Sequence, residues 1–356
     1  MPHGGDIYRN KVNIDMSVNL NPHRIPYRIC SALESGIKAS ISYPDPDQQS
    51  VREALASIDD LDSTYCLAGN GASELIMAVT AALDPQKAAV VCPAFSGYKR
   101  ALCGQGVNSL ISICLSSDNG FDFTDEVINR IPDDTELICI ADPVSHTGKK
   151  IDAAVLEKIL EYSDEHGISV ILDESFFFLA DSVSGAHKRE TAAYVKRYAG
   201  LYIIRSFTKL FALPGIRMGY LITQPQNMEA VKTRLPEWNL SMPAQCCMPE
   251  CASVIMDGSF VSESVKLISA QRRILMQGIA QAGFYVYDSD TVYICFKADP
   301  GLYGYMLGKG ILIRDLKNEE GLGEGYYRIA VKNAAENAEF LRRLYEYDQQ
   351  PVKERR

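Results

Sequence analysis

One lysine in the second half of the chain lies in surroundings that suit covalent chemistry. In the segment "RSFTKLFALPGIRMGY" (205–220), Lys209 lies between Ser206 and Arg217, just after the apolar run "GLYIIR". A lysine amine attacks a carbonyl carbon when it is neutral, and cationic, partly desolvated surroundings lower its pKa. A hydroxyl and a guanidinium are donors that suit a phosphate dianion.

Further polar residues stand where predicted strands end or helices begin. Asp173 ends the run "VILD", and Asp142 with Pro143 ends the run before it. Gly71-Ala72-Ser73 opens a predicted helix, where free backbone N–H groups and the helix dipole favour an anion. Together these positions indicate a pocket for a cofactor that carries both a phosphate and an electrophilic carbon.

The elements that must position these residues alternate between strands and helices. Amphipathic patterns predict helices over 71–83 and 152–167, the second ending at Gly167. Short, continuous apolar runs are typical of strands buried on both faces, as in a parallel sheet covered by helices, and they occupy 88–95, 136–143, 169–176, 201–207 and 218–224. The order predicts an α/β fold with ligands at the carboxyl ends of the strands.

The pattern changes after residue 225. A long amphipathic helix is predicted over 262–283, followed by three strand-like segments and a last helix, as expected of a smaller α+β domain. We predict an N-terminal arm and helix over 1–35 that associate with the small domain, a large domain over 36–250 and the small domain over 251–356.

Composition excludes several classes of function. The chain has 356 residues and a formal net charge of −9, which argues against a nucleic-acid footprint. No apolar run approaches the length of a membrane span, and the first ten residues lack the features of a signal peptide. The ten cysteines stand in apolar contexts without zinc-ligand spacing, so we expect reduced, buried thiols in a cytoplasmic protein and no metal.

Six motifs in a fixed order carry a resemblance to a known family. They are "AGNGASELI", "CPAFSGY", "ADPVSHTG", "LDESF", "SFTKLFALPGIRMGY" and "YYRIAVK". Together they resemble the pyridoxal-phosphate enzymes of the class I/II aminotransferase family, in the branch of histidinol-phosphate aminotransferase and threonine-phosphate decarboxylase. The resemblance implies fold type I: a large domain with a mostly parallel seven-stranded sheet, plus a smaller α+β C-terminal domain.

The resemblance assigns a cofactor role to several of these residues. Lys209 resembles the Schiff-base lysine, which later moves a proton at the substrate's α-carbon, and Asp173 resembles the carboxylate that keeps the pyridine nitrogen protonated. Phe95 resembles the aromatic residue that stacks on the ring, with a core phenylalanine as the alternative. The implied phosphate ligands are Gly71, Ala72, Ser73, Ser206 and Arg217. Tyr43 either reaches the cofactor phosphate of a neighbouring subunit, which implies a homodimer with shared sites, or is a turn-flanking tyrosine.

Substrate contacts are implied in the same way. Arg328 resembles the arginine that binds the α-carboxylate through two hydrogen bonds. Arg314 either faces a second anionic group or is an exposed strand-end residue, and Asn19 either orients the carboxylate or serves the turn before Pro22. His3 is a candidate contact for a substrate phosphate, or part of a disordered terminus.

The segment "DPVSHTG" departs from the family pattern. The family has Asn-Pro-Thr-Gly there, and its asparagine donates a hydrogen bond to the 3′ oxygen of the cofactor ring. Here Ser145 and His146 stand in place of Asn-Pro, and Phe176 replaces a tyrosine aimed at the same oxygen. Either Ser145 donates a weaker bond or His146 turns inward, although a loop histidine more often faces solvent.

Several functions compete at this stage. The N-terminal residues favour a lyase resembling L-threonine-O-3-phosphate decarboxylase, and an aminotransferase of the histidinol-phosphate or aromatic/acidic amino acid type is the alternative. A non-catalytic protein would have no need to keep Lys209, Asp173, Ser206 and Arg217 together. A dinucleotide-binding oxidoreductase is disfavoured because "GNGAS" lacks the Rossmann spacing and follows no convincing strand.

Overall fold

The structure is a computed structural model that describes residues 5–181 and 190–351. Its strands, in chain order, are β1 (Ile14–Asp15), β2 (Cys66–Gly69), β3 (Lys87–Cys92), β4 (Ser109–Cys114), β5 (Leu137–Ala141), β6 (Ser169–Asp173), β7 (Leu201–Ser206), β8 (Gly219–Ile222), β9 (Tyr285–Val286), β10 (Tyr293–Lys297), β11 (Ile311–Leu312), β12 (Arg314–Asp315) and β13 (Tyr326–Ala330).

The α-helices alternate with these strands and cover their faces. In chain order they are α1 (Tyr27–Ala39), α2 (Gln49–Asp59), α3 (Ala72–Leu83), α4 (Ser96–Gly104), α5 (Ala153–Glu165), α6 (Glu190–Tyr194), α7 (Phe207–Leu210), α8 (Pro225–Lys232), α9 (Met242–Asp257), α10 (Ser259–Gln281), α11 (Leu302–Gly308) and α12 (Ala334–Asp348). The predicted helices are present with shifted ends. For example, α5 begins after Asp152, whose carboxylate accepts hydrogen bonds from the N–H groups of Ala154 and Val155.

A seven-stranded sheet forms the centre of the larger part of the molecule. Its order is β2-β8-β7-β6-β5-β3-β4, and the strand pairs are parallel except those that β8 makes with β2 and β7. The predicted mostly parallel seven-stranded sheet is thus confirmed. The apolar run at 218–224, however, was wrongly expected to be parallel, because β8 alone runs opposite to the other six strands.

The strand direction in this sheet decides where functional residues can meet. Six strands present their carboxyl ends at one edge, and β8 presents its amino end there. Strand β2 was not predicted from the sequence, and its last residue, Gly69, is the first residue of the "GNGAS" segment. The chain immediately after β2, β3, β5, β6 and β7, and immediately before β8, therefore converges on the same edge of the sheet.

The remaining strands belong to two smaller sheets. A four-stranded sheet has the order β12-β13-β10-β9, and in it Arg314 of β12 pairs in register with Arg328 of β13. The N-terminal β1 pairs in parallel with β11, while α1 packs closely against α9. That packing needs a glycine at position 36, where a Cβ would lie 2.5 Å from the Cα of Pro243. The domain bounds given above stay a prediction.

Buried apolar side chains cover both faces of the central sheet and account for most of its strand residues. Across residues 5–181 and 190–351, none of the helices is both long and apolar enough to cross a membrane. All ten cysteines are free thiols, and Cys247 and Cys251 pack in the core. Cys103 is exposed, so the expectation of a buried thiol is wrong there.

Candidate active site

The edge where the strand ends meet holds a cavity of about 310 Å³. Residues from the large sheet, from the N-terminal segment and from the four-stranded sheet line it together. Of the predicted site residues, these line the cavity: Asn19, Ala72, Ser73, Phe95, Ser145, Asp173, Ser206, Lys209, Arg217, Arg314 and Arg328.

Lys209 lies on α7, the single helical turn that follows β7. Its backbone carbonyl accepts a hydrogen bond from the N–H of Asn21 at 3.0 Å, and the Asn21 side chain donates to the next carbonyl along at 2.8 Å. Burial, followed by the charges of Arg328 and Arg217, lowers the pKa of Lys209 to about 8. The amine is therefore neutral in about half of the molecules near pH 8 and in a minority at pH 7, and the neutral form is the one that a nucleophile requires.

Asp173 ends β6 and is held by two donors. Its Oδ2 accepts a hydrogen bond of 2.6 Å from the hydroxyl of Tyr98, and its Oδ1 accepts from the N–H of Ser175 at 2.9 Å. Burial and the adjacent carboxylate keep the pKa of Tyr98 well above its usual range, so the phenol stays a donor. Tyr98 was not predicted from the sequence, where its one signal is its place three residues after Phe95.

A cluster of donors around the start of α3 forms an anion cup, comprising Gly71, Ala72, Ser73, Ser206 and Arg217. Gly71 has φ +84, and a Cβ there would lie 2.5 Å from Nη2 of Arg217. Ser206 caps α7 and donates to the carbonyl of Met218 at 3.3 Å. The first N–H groups of α3 lack a side-chain cap, and Ala72 and Ser73 of this first turn line the cavity together with Arg217.

Phe95 presents a ring to the cavity from the turn before α4. It packs edge-to-face on Tyr98 with ring centroids 5.7 Å apart. A Cβ at position 97 would lie 2.0 Å from this ring, so Gly97 provides the space in which Phe95 lies. The aromatic face is thus fixed next to Asp173 and can cover a planar ring that pairs with that carboxylate.

Arg328 is a half-buried cation with two N–H groups left over, one on Nε and one on Nη2. Its Nη1 donates to the carbonyl of Ser145 at 3.3 Å, and its Nη2 to the carbonyl of Ser17 at 3.4 Å. Its Nε has no hydrogen-bond partner within residues 5–181 and 190–351, and no salt bridge there involves Arg328. Burial lowers the pKa of Arg328 to about 10, which still leaves it charged. A carboxylate of a ligand would satisfy this group.

Arg314 lies beside Arg328 and faces the cavity, so the alternative of an exposed strand-end residue is wrong. Its Nη2 donates to the carboxylate of Glu319 at 2.6 Å, and both side chains are mostly buried. Burial works to raise the pKa of Glu319, but His146 and Arg314 outweigh it and bring that pKa to about 2. Glu319 was not predicted from the sequence, where it is one acid among several in a polar loop.

His146 is buried, so the expectation that it faces solvent is wrong. Its Nδ1 lies 3.0 Å from Nη1 of Arg328 and its Nε2 lies 3.0 Å from the carbonyl of Ala94. The neighbouring Ser145 lines the cavity. Phe176 lines it as well, packs on Tyr293 and has its ring centroid 5.6 Å from Nζ of Lys209.

The remaining predicted residues differ in where they lie. Asn19 is buried, lines the cavity and keeps an unpartnered Oδ1 among the described residues, while Asn21 serves the turn by accepting from the N–H of His23. Tyr43 is 77% exposed, stacks against Trp238 and does not line the cavity of its own chain. His3 lies outside the described residues.

A nucleophilic lysine, a fixed carboxylate, an aromatic face and an anion cup in one cavity define an enzyme that uses pyridoxal 5′-phosphate. Comparison with known proteins gives the family. The sequence profile of "Aminotransferase class I and II" matches residues 11–344, and the chain belongs to this family.

Individual relatives cover nearly the whole chain. The threonine-phosphate decarboxylase of Salmonella typhimurium is 28% identical over 336 residues, which are 93% of this chain and 90% of that protein. The histidinol-phosphate aminotransferase of Bacillus licheniformis is 26% identical over 94% of this chain and 92% of that protein. The crystal structure of the histidinol-phosphate aminotransferase from Clostridium acetobutylicum superposes with a TM-score of 0.85 at 27% identity, covering 94% of this chain and 99% of that one.

The residues present fit the cofactor group by group. Its phosphate matches the cup in which only a glycine at position 71 leaves room for Arg217. Its aldehyde matches the amine of Lys209, and its ring nitrogen matches the carboxylate of Asp173, which Tyr98 and Ser175 hold in place.

Proposed function

We propose that the protein is a decarboxylase of an amino acid with a phosphorylated side chain, with L-threonine-O-3-phosphate as the best candidate substrate. One observation carries this proposal: the cavity contains two arginines, Arg328 and Arg314, in register on paired strands. A substrate with a carboxylate and a second anion offers one partner to each guanidinium.

The bound cofactor supplies a carbonyl that condenses with the substrate amine and a protonated ring that draws electrons from the α-carbon. Lys209 provides the amine that holds the cofactor and the base that moves a proton at the α-carbon. Asp173 keeps the proton on the ring nitrogen, and Phe95 covers one face of the ring. The donors of the anion cup bind the phosphate of the cofactor.

Substrate orientation falls to the other side of the cavity. Arg328 binds the α-carboxylate through its unpartnered Nε and one hydrogen of Nη2, with Asn19 beside it. Arg314 lies near the far end of the substrate and attracts the second anionic group of the substrate. Arg314 then gives up part of its contact with Glu319. His3 is proposed as a further contact to the substrate phosphate, as in the sequence-based prediction.

The test is a direct assay with O-phosphothreonine as substrate. The holoenzyme is incubated with it, and carbon dioxide and the remaining amine are measured. In a parallel reaction glutamate is mixed with an equivalent amount of holoenzyme, so that the bound cofactor accepts the amino group, and 2-oxoglutarate is measured. Release of carbon dioxide without 2-oxoglutarate supports the decarboxylase, and the opposite result refutes it in favour of an aminotransferase.

An aminotransferase acting on histidinol phosphate is the second candidate. The similarity in fold and sequence to the Clostridium acetobutylicum enzyme favours it, and the same Lys209 and Asp173 would serve. Histidinol phosphate has no carboxylate, so this candidate gives the unpartnered Nε of Arg328 a phosphate to bind instead. Comparing the two substrates in one assay separates the candidates.

We further propose that the protein is a homodimer in the cytoplasm. Large apolar side chains near the end of α1 are exposed: Ile37 at 66%, Ile41 at 95% and Tyr43 at 77%. A second copy that covers them would carry Tyr43 to the anion cup of its partner. Ile41→Asp should then give monomers by sedimentation, and Tyr43→Phe should weaken cofactor binding without changing the oligomeric state. The free thiols suit a reducing compartment.

A further inference from the structure

His146 contacts Arg328, the arginine proposed to bind the substrate carboxylate, at its Nη1. Two acceptors face its Nε2, the carbonyl of Ala94 at 3.0 Å and a carboxylate oxygen of Glu319 at 3.6 Å. They place the ring proton on Nε2, which leaves a lone pair on Nδ1 in the neutral ring. Nη1 of Arg328, a group that can only donate, lies 3.0 Å from this lone pair. His146 therefore accepts a hydrogen bond from Arg328.

The acceptors around Arg328 leave one edge of its guanidinium available. Nη1 donates hydrogen bonds to His146 and to the carbonyl of Ser145. Nη2 donates one hydrogen to the carbonyl of Ser17, at the longer distance of 3.4 Å. Nε remains without a partner in the described part of the chain. We propose that neutral His146 is a positioning residue that holds Arg328 with its Nε–Nη2 edge toward the substrate carboxylate. This inference rests on the proposed function, in which Arg328 binds that carboxylate.

The arrangement requires an uncharged imidazole. Protonation would turn the acceptor Nδ1 into a donor and would place a second cation 3.0 Å from the guanidinium. Burial lowers the pKa of His146, with Glu319 opposing and Arg328 adding to the shift, so the ring is neutral at neutral pH. In acid, the protonated ring would be drawn to Glu319, which also holds Arg314. Arg328 would then lose its acceptor and the substrate carboxylate would bind more weakly.

Two variants separate positioning from packing. His146→Ala removes the acceptor, whereas His146→Asn places an amide oxygen near the position of Nδ1 and does not titrate. Dissociation constants are measured with each holoenzyme from the change in cofactor absorbance. One probe is O-phosphothreonine, and the matched probe is the amine left when its carboxylate is removed.

We expect His146→Ala to weaken binding of O-phosphothreonine about tenfold, since a hydrogen bond to a charged group is lost. Binding of the matched amine should be unchanged, and His146→Asn should restore most of the loss. Because the pKa of His146 is lowered, wild-type affinity for O-phosphothreonine should fall only as the pH drops below the ordinary histidine value of 6.5, while that of His146→Asn should stay flatter. Cofactor content of each variant shows whether the fold is intact.

Equal weakening of both probes, or no weakening of either, would overturn the role of His146. If the wild-type enzyme fails to bind O-phosphothreonine, the proposed substrate is wrong. The same comparison is then made with threonine and 1-amino-2-propanol, which differ by the same carboxylate. If neither O-phosphothreonine nor threonine binds, both the proposed function and the proposed role of His146 are refuted.

Discussion

Replacing Gly71 with alanine should damage cofactor phosphate binding in a way that can be calculated from the structure. The new Cβ would lie 2.5 Å from Nη2 of Arg217, whereas ordinary contact begins at 3.4 Å. The guanidinium must therefore retreat by the difference, 0.9 Å. A phosphate contact of about 2.8 Å would lengthen to about 3.7 Å, which is beyond hydrogen-bond range.

The lost contact sets the size of the effect. A hydrogen bond between charged groups contributes about 1.5–3 kcal/mol, so we expect the dissociation constant of pyridoxal phosphate to rise roughly 10- to 150-fold. Pyridoxal, which lacks the phosphate, should bind Gly71→Ala almost as well as it binds wild type. Both constants can be measured by titrating the apoenzyme and following visible absorbance.

Backbone strain needs its own control. Gly71 has φ +84 and ψ 167, a region that is nearly restricted to glycine, so any side chain there costs about 1–3 kcal/mol of stability. Gly167 has φ +67 and nothing within 4 Å of its virtual Cβ. Gly167→Ala should thus lower the melting temperature without changing cofactor affinity. A Gly71→Ala protein that keeps the wild-type preference for pyridoxal phosphate over pyridoxal would refute the proposed cup.

The other predictions concern the reactive groups and the substrate. Lys209→Ala should abolish the visible absorption band and the adduct that borohydride fixes, while Lys209→Arg, a charge control, should do the same. Arg328→Gln should raise the pKa of Lys209 from about 8, because Arg328 contributes more than any other charge to lowering that pKa. The rate at which the apoenzyme binds pyridoxal phosphate should then begin to rise at a higher pH than in wild type. An unchanged pH profile of that rate would count against this effect. Asp173→Asn should lower kcat about 100-fold or more with the cofactor still bound, and full activity would exclude the ring-nitrogen role. Arg314→Gln should reduce the preference for O-phosphothreonine over threonine, measured as the ratio of their kcat/KM values, about tenfold. An equal loss of kcat/KM for both substrates would show that Arg314 does not bind the second anionic group.

Residues that lie next to a strand end could be placed from the sequence. Lys209, Ser206, Asp173 and the "GAS" segment each follow a strand closely, and parallel strands bring such positions to one edge. Arg217 arrives there for a different reason, because it precedes the antiparallel β8. Its position was predicted correctly although the direction of that strand was not.

Side chains that depend on distant packing could not be placed in this way. Tyr98 reaches Asp173 only because α4 packs against α3 and β3, and Glu319 reaches His146 only because a loop of the small sheet lines the cavity. Neither contact leaves a periodic or local signal in the sequence. His146 was misjudged because loop histidines usually face solvent, whereas this one is held by a carbonyl, a carboxylate and a guanidinium from three separate segments.

The departures from the family pattern concentrate on one corner of the cavity, and they change what that corner holds. Ser145 and Phe176 stand where the family has side-chain donors to the cofactor ring, while His146 and the carbonyl of Ser145 hold Arg328. Polar contacts have thus shifted from the cofactor toward the group proposed to bind the substrate carboxylate. In decarboxylation the bond to that carboxylate must stand perpendicular to the cofactor ring to break, so its direction decides the reaction. In transamination the α-hydrogen takes that position. A guanidinium fixed by three acceptors from two segments favours the reaction in which the direction of the carboxylate matters most.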